Sequence, residues 1–325
     1  MHILIVRLGT IGRHHLGLLQ ALDPAPQITV WRHRRSDEVL HGVATVYDLD
    51  SALAAKPDAA FLCGPASEHV EIARQLAEHG IHLFVEKPIS DRLDGTAELI
   101  EFCARRDLVL AVGYCLRFHP AVEGLRDAVA AGAIGRVLHA QAEVGQSLPD
   151  WRASGGAPVA GAVVALGGGV LLELSHEIDI LCWALGRPVA VSARLARLGA
   201  ETVDTEDCAD LLLDFPGGIR GTIHLDWLSR PMRRSCTIIG TEGTLRADLL
   251  TGSLDLYKTK TESWTILVAA APDRIDATYR AEIDHFLHCV ATGAEPLISG
   301  KAALDALAVA SAARESDASG RRVVL

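Results

Sequence analysis

The sequence predicts two units: an α/β unit with a parallel sheet, then an α+β unit with a mostly antiparallel, open-faced sheet. Three observations predict it. Up to about residue 119, short apolar runs alternate with stretches of helical period. Beyond it, the runs alternate apolar and polar residue by residue, as strands with one buried face do. The length, 325 residues, suits about two domains of ~150 residues each. The expected boundaries are 1–119 and 120–325.

In the first unit HILIV, QITVW, DAAFLC, HLFVE and LVLAVGY read as strands. Between them GRHHLGLLQAL, HVEIARQLAEHG and TAELIEFCARR read as helices. Strands spaced by helices build βαβ units, hence the parallel sheet. In the second unit a helix over AVEGLRDAVAAG is followed by the strand RVLHAQAEV. An Ala/Gly-rich stretch, ASGGAPVAGAVVALGGG, precedes a single helix predicted over VLLELSHEIDILCWALG. In IRGTIHLDW the residues Ile219, Gly221, Ile223, Leu225 and Trp227 share one strand face. The turn signals PGG (216–218) and TEG (241–243) separate such runs, and helices near 279–292 and 301–315 follow.

Composition narrows the function classes. Hydrophobic residues make up 49% and charged residues 22%, the balance of a globular chain with a core. A net charge of -10 disfavours nucleic acid and anionic membrane as partners. No apolar run reaches the roughly 18 residues of a membrane span. The chain opens on a strand, with no signal peptide expected. The seven cysteines are scattered singly, with no C-x-x-C pair, so reduced thiols in a cytoplasm are expected and a metal site is not.

The stretch IVRLGTIGRHH, between the first strand and the first helix, nearly matches G-x-G-x-x-G. Gly9 lets backbone N–H groups approach a pyrophosphate, and Gly12 lets the helix pack closely on the sheet. The helix N-terminus favours the anion. This makes the first unit a Rossmann-like dinucleotide-binding candidate, with Arg7, Gly9, Thr10, Ile11 and Gly12 on the cofactor. Arg7 stands at the first glycine position. A left-handed backbone there costs an arginine about 1–2 kcal/mol, which its cation recovers in part by reaching a phosphate. After the second strand comes Trp31-Arg32-His33-Arg34-Arg35, with no acid before Asp37. NAD sites carry an acid there for the ribose hydroxyls. Arg32, His33 and Arg34 suit a 2′-phosphate, hence NADP over NAD, though a solvated basic turn accounts for the same residues.

Residues 63–90 read CGPASEHVEIARQLAEHGIHLFVEKPIS. With Gly9, Gly12, His69, Gly80 and Glu86-Lys87-Pro88 at their places, the chain resembles the Gfo/Idh/MocA oxidoreductase family nearly end to end. GYCLRFHP (113–120) looks like the junction of that family's two domains, GGGVLLELSHEIDILCWALG (167–186) like its catalytic helix, and IIGTEGTL like part of its sheet. The resemblance implies an NAD(P)-dependent dehydrogenase or reductase of a sugar-like alcohol. It adds Cys63, Gly64, Pro65, His69, Glu86 and Lys87 to the cofactor side, and Arg117, Trp151 and Arg152 to the substrate side. It also implies a homodimer or homotetramer.

A hydride leaves a carbon only as the hydroxyl proton is removed, so such a site needs a base and a cation for the alkoxide. The resemblance makes Lys87 the catalytic lysine. His176 is the second candidate. On one continuous helix Glu173, His176 and Asp179 form a slanted ridge, and a carboxylate beside an imidazole fixes its tautomer. No metal is expected. The chain departs from the family in two places. Leu172 stands where many members have Asp, and ASGGAPVAGAVVAL after Asp150-Trp151-Arg152 replaces a polar, Tyr- and Arg-containing stretch. Two alternatives stay open: a non-catalytic dinucleotide or sugar sensor, and a glycosidase using NAD as a transient oxidant.

Overall fold

The structure is a computed structural model and describes residues 1–148, 160–199, 203–271 and 275–325. The chain forms two compact units, Met1–Gly113 with Arg280–Leu304, and Tyr114–Tyr279 with Asp305–Leu325.

The first unit holds strands β1 (His2–Val6), β2 (Gln27–Trp31), β3 (Ala44–Val46), β4 (Ala59–Leu62), β5 (His82–Val85) and β6 (Leu110–Val112). They form one sheet in the order β3-β2-β1-β4-β5-β6, with every neighbour parallel. All five residues of β1 are buried, as an interior strand covered on both faces requires. Helices α1 (Thr10–Gln20), α2 (Leu49–Ala54), α3 (His69–Glu78) and α4 (Thr96–Arg105) connect them. The strand order reverses between β1 and β4, the place where open α/β sheets bind ligands at their carboxyl ends. Strand β3 and helix α2 were not expected; each is too short to show a period.

The segment Arg280–Leu304 belongs to this unit, although the whole of 120–325 was expected in the second domain. Phe286 meets Phe61 and Phe84 edge-on at ring-centroid distances of 5.3 and 5.5 Å, and Ile283 and Cys289 join the same core. Val112 N donates to Ile298 O at 3.0 Å. Apolar spacing shows that a helix has a buried face; it does not show which sheet covers it.

In the second unit α5 (Pro120–Ala130) precedes a nine-stranded sheet. Its strands are β7 (Val137–Gly145), β8 (Ala190–Ala196), β9 (Cys208–Asp214), β10 (Arg220–Asp226), β11 (Arg233–Gly240), β12 (Gly243–Asp248), β13 (Ser253–Lys258), β14 (Ser263–Val268) and β15 (Val323–Val324). The order is β14-β13-β12-β11-β7-β10-β9-β8-β15, antiparallel throughout except where β10 runs parallel to β7. Gly221, Ile223, Leu225 and Trp227 are buried on one face. On the opposite face Leu138, Leu212 and Ile239 are exposed. The PGG turn joins β9 to β10 and the TEG turn joins β11 to β12.

The helix expected over 170–186 is two helices, α6 (Val170–Glu173) and α7 (His176–Leu185). Leu174 leaves helical geometry at φ -104°, ψ 26°, and a new helix starts as Asp179 N donates to Ser175 O at 3.1 Å. The N-terminal N–H groups of α6 are held by Glu206: Val170 N by its carbonyl at 3.1 Å, Leu171 N by its carboxylate at 3.3 Å. An apolar period runs through such a break unseen. The remaining helices are α8 (Ile275–Thr292) and α9 (Gly300–Ser319). Among the described residues no helix is long and apolar enough to cross a membrane.

Candidate active site

In the first unit the glycine turn forms as the spacing requires. A Cβ at Gly12 would run into the Arg7 carbonyl oxygen, so this close crossing of helix and strand end admits only glycine. Gly9 faces open space, with nothing within 4 Å of where a Cβ would stand. It caps α1 without a side-chain hydrogen bond, and no acid lies in the first turn. The orphan N–H groups of that turn, over Thr10, Ile11 and Gly12, fit a phosphate group.

Arg7 adopts the left-handed backbone, φ 71°. Its stem lies over Gly64, where a Cβ would come within 2.9 Å of Arg7 Cγ. Its guanidinium donates to one oxygen of Glu68, through Nη2 at 2.6 Å and Nε at 3.0 Å. The pair thus spans the carboxyl ends of β1 and β4, at the sheet's reversal point. Glu68 carried no signal in the sequence.

The basic turn after β2 is divided. Arg32 is buried and bonds Glu38, which also takes both terminal nitrogens of Arg13 at 2.6 and 2.7 Å. These two arginines hold the exposed Glu38 carboxyl at about 2. His33 and Arg34 are exposed. The guanidinium of Arg35 lies 5.3 Å from the Tyr47 ring centre.

The segment after β4 is tightly built. Cys63 is buried, and burial with the nearby Glu86 charge pushes its thiol well above the ordinary value. Pro65 opens a 3-10 turn, Ala66–Glu68, that runs into α3. His69 sets Nδ1 2.9 Å from Pro88 O and Nε2 3.0 Å from Gly64 O, tying that turn to the Glu86-Lys87-Pro88 segment. Burial lowers the His69 pKa, against the two carbonyls that favour the cation.

Glu86 is 6% exposed, and its Oε1 lies 2.6 Å from His15 Nε2 of α1. Its other oxygen accepts the Lys87 N–H at 3.2 Å. A Cβ at Gly113 would crowd the carboxylate at 3.1–3.2 Å. Glu86 therefore holds the backbone of Lys87 against the helix that carries the glycine turn. The Lys87 side chain itself is half-buried. His15, on the inner face of α1 between Phe61 and Phe84, was not singled out in the sequence.

In the second unit the expected ridge is broken: Glu173 ends α6 while His176 begins α7. Asp179 gives both oxygens to Arg117, Oδ2 to Nε at 2.9 Å and Oδ1 to Nη2 at 2.6 Å. The two side chains are 1% and 5% exposed. Burial pushes the Asp179 carboxyl up from its ordinary value and Arg117 pulls it back. An acid expected in catalysis and an arginine expected on substrate thus meet each other. The His176 ring stands edge-on to Tyr114, centroids 5.5 Å apart, and Tyr114 Oη lies 3.2 Å from Ser175 Oγ. Trp151 and Arg152 lie outside the described residues.

Three polar side chains gather at one end of the second sheet. Leu148 N donates to Trp227 O at 3.1 Å, and Trp227 N to Asp207 O at 2.9 Å, which brings Ser147, Trp227 and Thr205 to neighbouring strand ends. Ser147 Oγ, Thr205 Oγ1 and Trp227 Nε1 are buried and find no hydrogen-bond partner among the described residues. A buried donor or acceptor without a partner costs roughly 1–3 kcal/mol. These groups carry no local signal, since Ser, Thr and Trp are common at strand ends.

Residues 1–114 match the family model described as an oxidoreductase family with an NAD-binding Rossmann fold, and residues 122–246 match the GFO/IDH/MocA C-terminal domain. The chain is 27% identical to scyllo-inositol 2-dehydrogenase (NAD(+)) of Bacillus subtilis, over 82% of this chain and 78% of that one. It is 26% identical to D-xylose 1-dehydrogenase (NADP(+)) 2 of Haloferax volcanii, over 87% and 86%. Its fold matches the WlbA dehydrogenase from Bordetella pertussis, solved with NADH and UDP-GlcNAcA, at a TM-score of 0.86 and 23% identity, over 100% and 98% of the two chains. With its glycine turn, its Glu86-Lys87-Pro88 segment and its nine-stranded sheet, the chain belongs to the Gfo/Idh/MocA family of NAD(P)-dependent oxidoreductases.

Proposed function

We propose that the protein moves a hydride between nicotinamide and a carbon of a sugar-like alcohol or ketone. The observation that carries this is the glycine turn, open at Gly9 and closed by necessity at Gly12, in the same unit as Lys87. The relatives named above, an inositol and a xylose dehydrogenase, support the substrate class. The bound nicotinamide supplies the hydride acceptor. Lys87 and His176 handle the hydroxyl proton: one takes it as the carbon is oxidised, and the other steadies the oxygen.

The remaining residues act as supports. Glu86 and His15 fix the Lys87 backbone, and Arg117 and Asp179 brace the helix that begins at His176. Ser147, Thr205 and Trp227 offer two hydroxyls and an indole N–H to the hydroxyl groups of a sugar. This compensates for the polar stretch that the chain lacks at 153–166. The cofactor is NADP(H) by preference, on the exposed His33 and Arg34 and on the Arg13 and Arg32 pair gathered by Glu38. The protein self-associates as a homodimer or homotetramer, which light scattering tests.

The deciding experiment is fluorescence titration with NADPH and NADH, followed by absorbance assays on a panel of polyols, sugars and sugar nucleotides. Binding in the micromolar range and turnover on at least one panel member support the reading. Dinucleotide binding without turnover on any member favours a second reading, a non-catalytic sensor. Arg7 is the observation behind it, because a side chain drawn across Gly64 restricts the diphosphate edge.

A further inference from the structure

The outer face of the second sheet holds a group of side chains that the oxidoreductase reading does not use. Cys208 and Asp210 lie on β9, with His224 and Asp226 facing them from β10. The antiparallel register pairs Asp226 with Cys208 and His224 with Asp210. Side chains two apart on a strand share a face, so all four stand on the same side. The Cys208 thiol, an Asp210 oxygen and a His224 ring nitrogen all lie within 4.8 Å of one another. Thiolate, imidazole and carboxylate together are a zinc-type donor set.

The orientation of His224 is the second observation. Its Nε2 lies 2.9 Å from Asp226 Oδ2. Asp226 is 2% exposed and is itself fixed, by the N–H groups of Leu228 and Ser229 at 2.7 and 2.6 Å, by Ser229 Oγ at 2.7 Å and by Arg233 at 3.1 Å. All of these donate, so Asp226 is an acceptor and Nε2 carries the ring proton. A buried carboxylate that holds the far N–H of a histidine is the support that metal-bound histidines have. Nδ1 then points at Asp210 Oδ1, 2.6 Å away. A shared proton accounts for this distance; two donors on one tetrahedral zinc stand wider, at about 3.3 Å, so Asp210 has to move aside for an ion.

We propose that Cys208, Asp210 and His224 bind a zinc-class divalent cation, with a fourth position open to water. On binding, the Cys208 thiol proton and any proton shared by His224 Nδ1 and Asp210 leave to solvent, and the ion takes their place. Asp210 is largely exposed and can swing outward to admit the ion; its side chain retains 62% of its accessible area. Cys208 and His224 are held by the strand pairing. The site is independent of the dinucleotide chemistry.

The test uses the full-length protein, reduced and freed of metal with a chelator, then titrated with Co(II). A thiolate-to-cobalt charge-transfer band saturating at one equivalent, and bleached by Zn(II), is the expected result. Cys208→Ser should abolish the band and Asp210→Asn should weaken Co(II) binding at least tenfold. Cys103→Ser, in the other unit, should change neither. Because Asp210 is exposed, Asp210→Asn stays folded, and Zn(II) should raise the melting temperature of the wild type but not of this variant. A wild type without a thiolate band, or a band that survives Cys208→Ser, overturns the proposal and leaves His224 hydrogen-bonded to Asp210 and Asp226 alone.

Discussion

Arg7, left-handed at φ 71°, places its guanidinium 2.6 Å from the carboxylate of Glu68, across the point where the first sheet reverses its strand order. Family members that match the full glycine pattern have no side chain there. Both partners keep some solvent contact, with side chains 21% and 34% exposed, so the bond adds little stability. Its importance is positional. On the proposed cofactor site a diphosphate would compete with Glu68 for this cation.

The wild type should therefore bind NADPH measurably, and Arg7→Gly should change that affinity by no more than about tenfold, near 1.4 kcal/mol. Relief of the left-handed arginine, about 1–2 kcal/mol, offsets the lost cation. Fluorescence titration checks this. No binding by the wild type, with binding restored in Arg7→Gly, would make Arg7 a block and count against the dehydrogenase reading.

Lys87→Met and His176→Ala should each lower turnover by about 10²–10⁴, the range of general acid–base groups. Cofactor affinity should stay within severalfold of wild type. Single-turnover kinetics with the best substrate of the panel decide it, and near wild-type rates in either variant remove that residue from proton transfer.

Thr205→Val should affect stability and recognition in opposite directions. Valine matches threonine in shape and removes a buried hydroxyl that has no partner among the described residues. The free protein should gain up to roughly 1–3 kcal/mol in urea denaturation, the cost of such an atom. KM should rise with turnover little changed. A stability loss, or an unchanged KM, would exclude a role for Thr205 in recognition.

The Arg117–Asp179 pair should behave as a buried ion pair. Asp179→Ala alone leaves a buried cation and should cost about 3–5 kcal/mol. Arg117→Met combined with Asp179→Leu should recover most of that loss, since apolar replacements of such pairs are close to neutral. Denaturant midpoints of the single and double variants test the coupling.

Acid should weaken the first unit through His69. Its folded pKa lies below the ordinary 6.5 because burial disfavours the cation. The unfolded chain then takes up the proton first. The contribution is fully present above about 6.5 and is lost as the pH falls through the folded value. Urea midpoints against pH should show this loss in the wild type and less of it in His69→Gln. Identical profiles would show that His69 is not the group responsible.

Much of this was legible in the chain itself. Continuous apolar runs such as HILIV name buried parallel strands, and strict alternation in IRGTIHLDW names a one-faced sheet, because strand geometry repeats every two residues. Gly9, Gly12 and Glu86-Lys87-Pro88 are contiguous signals that mark the cofactor unit and the family. The break between Glu173 and His176 was not legible, since the apolar period runs on through Leu174 and Ser175 without interruption.

The sequence by itself determined the two fold types, the dinucleotide turn and the lysine segment, because each is encoded by residues next to one another. Only the tertiary structure decided the partnerships: Arg7 with Glu68, His15 with Glu86, Arg117 with Asp179, and Cys208 and Asp210 with His224. It also decided that Arg280–Leu304 packs in the first unit. These relations join residues far apart in the chain, and which charges meet is set by strand order and register, which local spacing does not contain.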